Sequence, residues 1–217
     1  MQQLDFQKTK KLLEKYKLPF AKSDLATSPE KAVAIAKKIG YPVALKVISK
    51  DILHKTDIGG VKTNIQDEKE LSSSYDSILT KAKKKFPKAK IDGILIQKME
   101  SGIEVIIGMK RDPQFDVVLM FGLGGIFTEV LKDVSFRIAP IDKQQAEEMI
   151  DEIKANQILK GTRGTSPVKI SALVDILTKI SKLAIENKKI RELDLNPIIV
   201  NETSAAIVDI RILENEK

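Results

Sequence analysis

Three Ile/Val-rich runs follow one another through the middle of the chain: IDGILIQKM (91–99), IEVIIGMKR (103–111) and DVVLMFGLGG (116–125). Only ESG and DPQF separate them, as in a set of antiparallel or mixed strands. Helices and further strands flank this centre. LDFQKTKKLLEKYKL has apolar residues near helical spacing and stops before Pro19. In TSPEKAVAIAKKIG, either Thr27 with Glu30 forms a capping box, or Ser28 caps with Pro29 at the first helical position. Gly40 closes that helix. YPVALKVIS reads as a strand with Val43, Leu45 and Val47 on one face and Lys46 on the other, and GVKTNI as a second strand after a Gly-Gly turn. Asp67 with Glu70 opens a helix that runs to Pro87, and Asp142 with Gln145 opens another. SPVKISALVDILTKISKLAIEN is a long amphipathic helix, and the chain then returns to strands in IRELDLNPIIV and AAIVDIRIL around a turn at NETS. No repeat and no Gly/Ser linker divides it. The expectation is an α/β (α+β) arrangement whose two halves share one cleft near residue 100.

Composition removes several chemistries. The 217 residues include no cysteine and a single histidine, which excludes disulfides, thiolate chemistry and clustered histidine metal sites. The net charge of +7 invites a nucleic-acid reading, but aromatic residues are 5% and tryptophan is absent, so stacking platforms are scarce. The densest lysine run, Lys81 to Lys90, falls at a helix C-terminus, where cations complement the helix dipole. No apolar run approaches bilayer length and no signal-peptide core is visible, so no membrane partner is expected and the cytoplasm is the expected location.

The lone histidine, His54, sits in DILHKTDIGGV, six residues before Gly60. Adjacent glycines can bring backbone N–H groups close to an anion, though an ordinary Gly-Gly hairpin explains them equally well. Lys46 on the preceding strand adds a charge where a phosphate could sit. No P-loop pattern occurs, and GLGG at 122–125 is followed by Phe127 where a dinucleotide fingerprint needs glycine. In ELDLNP, Glu192, Asp194 and Asn196 share one strand face, with Leu193 and Leu195 on the other, and Asp209 interrupts the apolar strand expected to pair with it. Such an oxygen-rich face suits a hard cation such as Mg²⁺ shared with a nucleotide. A polar sheet face in water is the alternative.

Taken together, DILHKTDIGGV, IQKMESGIE, GMKRDPQFDVVLMFGLGGIFTEVLKDVSFRIAPI, GTRG and ELDLNP resemble the β subunits of ADP-forming acetyl-CoA synthetases, members of the ATP-grasp family, over nearly the whole chain. The resemblance implies an ATP-grasp fold with two subdomains, 1–98 and 99–217. It also implies the reaction acyl-CoA + ADP + phosphate to acid + ATP + CoA, with phosphate relayed through histidines. It makes His54 the phosphoryl carrier and Asp194 the acid that orients or stabilises its imidazole. Nucleotide binding falls to Lys46, Gly59, Gly60, the backbone of Gln97, Lys98 and Met99, and the ribose-binding Glu104. Asn196 and Asp209 match magnesium ligands. Arg137, Arg163, Gly124 and Gly125 are candidate phosphate contacts, with a structural salt bridge equally open for the arginines; Glu129 carries no assigned role. The cofactors implied are ATP or ADP with Mg²⁺, and CoA on an α partner that supplies CoA-binding and ligase domains, in an α2β2 assembly. Lys50, Asp116 and Lys169 depart from the family pattern, standing where Pro, Gly and an acid are expected. The other readings are a stand-alone ATP-grasp carboxylate ligase, which needs no histidine, and a non-catalytic ATP-binding module.

Overall fold

The computed structural model describes residues 1–52, 55–162, 164 and 166–215, with the backbone alone at Ile126 and Glu129. It resolves into two compact units, one of residues 21–99 and one of 1–20 with 100–217. The observed boundary lies one residue from the expected break after 98. The first twenty residues depart from the expected division: they belong to the later unit. The reason is pairing across the sequence. β1 (Gln2–Gln3) adds to the last strand with Gln2 opposite Glu214, and α1 (Phe6–Lys15), capped by Asp5, buries Leu13 in that unit's core.

The smaller unit runs β2 (Ser23–Ala26), α2 (Pro29–Ile39), β3 (Val43–Ile48), β4 (Val61–Ile65), α3 (Glu68–Lys85) and β5 (Gly93–Lys98). Its strands form an antiparallel sheet in the order β2-β5-β3-β4. Ser28 rather than Thr27 caps α2, accepting from the Lys31 amide, and Gly40 ends it at φ 91°. Asp67 caps α3 as expected, at 2.8 Å from the Glu70 amide. Ala32 and Ala36 of α2 and Leu71, Tyr75 and Ile78 of α3 pack on Val43, Leu45, Val47, Ile94 and Ile96. The small alanines let α2 lie close to the sheet.

The larger unit continues with β6 (Ile103–Asp112), β7 (Asp116–Leu123), the short α4 (Ile126–Glu129), β8 (Val134–Ile138), α5 (Lys143–Glu152), α6 (Ile170–Glu186), β9 (Ile190–Val200), β10 (Ala205–Ile207) and β11 (Ile210–Glu214). Its sheet runs β1-β11-β9-β6-β7-β8, with β10 on β9. The central runs are therefore antiparallel neighbours, although the one between 103 and 112 lies between β9 and β7 instead of beside β5. α5 opens on the capping box of Asp142 and Gln145, and α6 lays Leu173, Ile176, Leu177, Ile180 and Leu183 into the core. Asp116, one of the departures from the expected pattern, has φ 59°; an acidic side chain tolerates that left-handed geometry, and its carboxylate pairs with Arg111. Arg111 in turn donates to the Ile190 carbonyl (2.9 Å) and to that of Ala184 at the end of α6.

AAIVDIRIL is not one strand. The Val208 and Asp209 amides both turn to the Pro197 carbonyl, at 3.0 and 3.4 Å, and the break separates β10 from β11. Proline at 197 offers no N–H to the ladder, so the pairing is interrupted opposite it. No helix among the described residues is long and apolar enough to cross a membrane.

Candidate active site

In the smaller unit, side chains alternate along β3 and β5. Ala44, Lys46, Leu95 and Gln97 point away from the helix-covered face, yet that second face is buried as well. Lys46 retains 7% exposure and Gln97 none, so Lys46 is not the solvent side of an amphipathic strand. Register sets Lys46 opposite Leu95 and Val61, and Gln97 opposite Ala44 and Ser23. Lys46 and Gln97 are thus diagonal neighbours on one surface.

The loop after β3 is built by its glycines. Thr56–Ile58 form a 3-10 turn, and Gly59 follows at φ 64°. The Gly59 amide donates to the Thr56 carbonyl (2.9 Å) and the Gly60 amide to that of Lys55 (2.8 Å). A Cβ on Gly60 would lie 2.7 Å from Val47 Cγ1 and 2.9 Å from the Lys55 carbonyl oxygen. The pair therefore closes the loop against β3, and both amides are engaged inside it instead of facing an anion. Lys85 of α3 secures the same loop, its Nζ donating to the Asp57 carbonyl at 3.3 Å. His54 and Arg163 lie outside the described residues, as does the side chain of Glu129.

At the end of β5, the expected base-binding amides are also engaged. Lys98 N–H donates to the Lys22 carbonyl (2.8 Å) and Met99 N–H to that of Pro42 (3.2 Å). In the larger unit, Glu104 is exposed and its carbonyl accepts from the Gly124 amide at 2.7 Å. A Cβ on Gly124 would stand 2.8 Å from Glu104 Cβ, so Gly124 serves the close approach of β6 and β7, while Gly125 is exposed at φ 62°.

The helix-free face of the large sheet carries a trough. Register places Arg211, Asp194, Gly108, Met120 and Phe136 in one row across β11, β9, β6, β7 and β8. Gly108, lacking a side chain, leaves the row open, and a cavity of about 370 Å³ lies over it, with Glu192 and Lys110 in the next row. One end is charged and the other apolar. As expected, Glu192, Asp194 and Asn196 share this face while Leu193 and Leu195 are buried on the other. Burial pushes the Asp194 carboxyl above its ordinary value; Arg211 pulls it down, and the like charges of Asp209 and Glu192 push it up further. Asn196 N–H donates to the Asp209 carbonyl at 3.2 Å, which brings those two residues together across the strand break.

Arg137 does not join them. It points to the opposite face, where it pairs with Glu152 (2.6 Å) and Glu148 (4.0 Å) of α5. Of its two readings the salt bridge is the one realised. The arginine of the trough is Arg211, which the sequence reading passed over. The alternation Asp209–Ile210–Arg211 beside ELDLNP held the signal, since Arg211 shares the parity of Asp209.

The ATP-grasp domain family matches residues 1–213. The chain belongs to the ATP-grasp family. Among curated relatives, it is 49% identical over 205 residues to the β subunit of acetate–CoA ligase [ADP-forming] I from Pyrococcus furiosus, covering 94% of this chain and 88% of that one. It is 48% identical over 207 residues to acetate–CoA ligase [ADP-forming] I of Archaeoglobus fulgidus, but spans only 30% of that longer protein's length. Among solved structures, the dinucleotide-forming acetyl-coenzyme A synthetase 1 of Ca. Korarchaeum cryptofilum, in complex with coenzyme A, Ca-AMPCP and HgCl⁺, superposes with a TM-score of 0.94 at 43% identity, covering 99% of this chain and 94% of that one. A second structure of that enzyme, with coenzyme A and Mg-AMPPCP and its phosphohistidine segment pointing towards the nucleotide binding site, gives 0.86 at 40% identity over 99% and 93%. Within the ATP-grasp family the chain thus groups with ADP-forming acetate–CoA ligase β subunits.

Proposed function

We propose that this chain is the nucleotide-binding subunit of an ADP-forming acid–CoA ligase, passing phosphate between a partner's phosphohistidine, its own His54 and ADP. The net reaction is acyl-CoA + ADP + phosphate to acid + ATP + CoA. The observation that carries this reading is the 49% identity to a dedicated β subunit across 88% of that subunit's length. The nucleotide and phosphohistidine segment named for the Korarchaeum enzyme support it.

In the transfer step, the N–P bond of phospho-His54 breaks as a P–O bond forms to a terminal phosphate oxygen of ADP. Such chemistry rests mainly on position and charge neutralisation. Lys46 contacts the nucleotide phosphates from a buried position, where its charge is poorly screened. Segment 97–99 holds the base and Glu104 accepts from the ribose hydroxyls. Asp194 holds the proton of the phosphate-carrying imidazole, and Arg211 opposes the effect of burial on that carboxyl. Asn196 and Asp209 offer an amide and a carboxylate, a donor set that fits Mg²⁺. A magnesium ion shared with a nucleotide is held by few protein oxygens. Magnesium, when bound there, neutralises phosphate charge.

CoA and acyl recognition belong to a partner α subunit in an α2β2 assembly, consistent with relatives in which this region is under a third of a longer chain. The test is ATP formation from acetyl-CoA, ADP and phosphate by this chain, by a candidate α subunit, and by the mixture, beside a sizing column. Activity confined to the mixture, with co-elution, is expected. Turnover by this chain alone would overturn the division of labour.

A further inference from the structure

The net charge of the chain, +7, is concentrated in one place. Lys81, Lys83, Lys84, Lys85, Lys88 and Lys90 contribute +6 within a stretch that holds no acid, which leaves +1 for the rest of the chain. All six are exposed, and among the described residues none of them forms an ion pair, whereas Lys37, Lys110, Lys160 and Lys179 are matched with acids. Complementing the helix dipole accounts for Lys83, Lys84 and Lys85, which stand in the last turn of α3. It does not account for Lys88 and Lys90, which lie beyond the helix, or for Lys81, which repels Lys85 four residues on. The lysines frame an apolar feature. Phe86 is 37% exposed, and with Pro87 it lines an open hollow of about 510 Å³ beside Asp51, Lys85, Lys88 and Ala89. The Asp51 carboxylate accepts from the Lys90 backbone amide at 2.8 Å and so fastens the connector instead of matching a lysine side chain. The ridge also adjoins the loop after β3, since Lys85 Nζ reaches the Asp57 carbonyl and a Cβ on Gly59 would lie 3.3 Å from Lys81 Cδ.

We propose that this ridge is the surface on which the α partner lands, through an acidic face that sets an apolar side chain against Phe86. The inference rests on the two-subunit reading above and deepens it by naming the surface that the partner uses. The composition of the ridge favours a protein over a nucleic acid. It holds lysines and no arginine, and lysine is a strongly hydrated point charge without the bidentate fork that grips phosphate. Its single aromatic ring gives no series of stacking platforms for bases. Hydrated cations at the rim of an interface act through their field, gathering an oppositely charged partner and orienting it before contact. Phe86 supplies what the lysines lack, an apolar anchor that loses water on docking. A partner captured here arrives beside the loop that carries His54.

The two parts of the surface separate in the two rate constants of association with the α subunit, measured by stopped flow over a range of salt. Lys83→Gln combined with Lys84→Gln and Lys88→Gln removes three charges and spares Lys81 and Lys85, which touch the loop after β3. At low salt this triple variant associates about 10- to 10³-fold more slowly than wild type, and the two rates converge as salt screens the field. Its dissociation rate, melting temperature and ADP affinity stay close to those of wild type. Phe86→Ala does the reverse: association is unchanged and dissociation is faster by about 5- to 30-fold. Equal association rates and equal salt dependence in wild type and triple variant overturn the inference and leave the two-subunit reading intact. A triple variant that loses ADP affinity while associating normally also overturns it, since the ridge would then guide nucleotide. So does one that associates normally but no longer binds a duplex DNA oligonucleotide that wild type retains at about 0.15 M salt. If wild type associates with no α subunit at any salt, the two-subunit reading itself falls.

Discussion

The two sheets solve the same packing problem and then diverge. Each buries one face under helices, with Val43, Leu45 and Ile96 under α2 and α3 in the smaller unit, and Ile107, Leu119 and Leu193 under α5 and α6 in the larger. The other faces differ in kind. That of the small sheet is buried and holds a few polar groups, Lys46, Gln97 and Ser23, among apolar ones. That of the large sheet is open, and arrays charges, Arg211, Asp194, Glu192 and Lys110, along one side of a trough whose other side is apolar. A buried lysine or amide gives strong, directional interaction at a cost in stability, which suits holding one ligand in one pose. Partly exposed carboxylates with an arginine alongside suit groups that change charge or come and go. The proposed function thereby assigns binding and proton management to different surfaces.

Asp194→Asn is the sharpest way to break that division. The account expects turnover with an α partner to fall by about 10²- to 10⁴-fold while ADP affinity is nearly unchanged. A loss of affinity with unchanged turnover would move the trough into the binding category. Next in size is Lys46→Met, which keeps the apolar stem and removes the charge. It should weaken ADP binding by about 10- to 150-fold, a charged hydrogen bond being worth about 1.5–3 kcal/mol. Unchanged affinity would show that the buried ammonium serves structure alone.

Two stability measurements refine the comparison. Gly60→Ala forces a Cβ against Val47 Cγ1 and the Lys55 carbonyl and should cost about 1–3 kcal/mol in denaturant unfolding, as overpacking does. A neutral result would mean that the loop after β3 shifts freely. Smallest is Lys169→Asp. Lys169 occupies the N-cap of α6 without a side-chain bond to the helix, so an acid there should raise stability by about 0.5–2 kcal/mol. No gain would indicate that the Lys169 amide's bond to the Asn201 carbonyl already fixes that terminus.

Local rules were legible in the residues. Asp67, Asp142 with Gln145, and Gly40 each capped the helix they were expected to cap, and the alternation in ELDLNP put its polar residues on one face. Pairings distant in sequence were not. Nothing local tells Gln2 to lie opposite Glu214, and so the first twenty residues were assigned to the wrong half. Nor does the pattern of VALKVI say that both of its faces are covered, because alternation reads the same whether the second face meets water or protein. The glycine loop misled for a related reason: Gly59 and Gly60 allow an anion-facing turn and a self-bonded turn equally, and packing of Gly60 on Val47 selects the second. Arg137 and Arg211 show the same limit. Each sits at a strand position of definite parity, but which face bears the helices is decided by tertiary structure, and that placed Arg137 with Glu148 and Glu152 and left Arg211 beside Asp194.

The central claim concerns His54, and the intact mass of the chain after incubation with ATP and Mg²⁺ tests it most directly, with His54→Asn alongside and a candidate α subunit present or absent. The account predicts an acid-labile phosphate adduct on the wild-type chain and none on the variant. No adduct under any of these conditions would contradict the phosphoryl relay and return the chain to a stand-alone ATP-grasp ligase or a nucleotide-binding module.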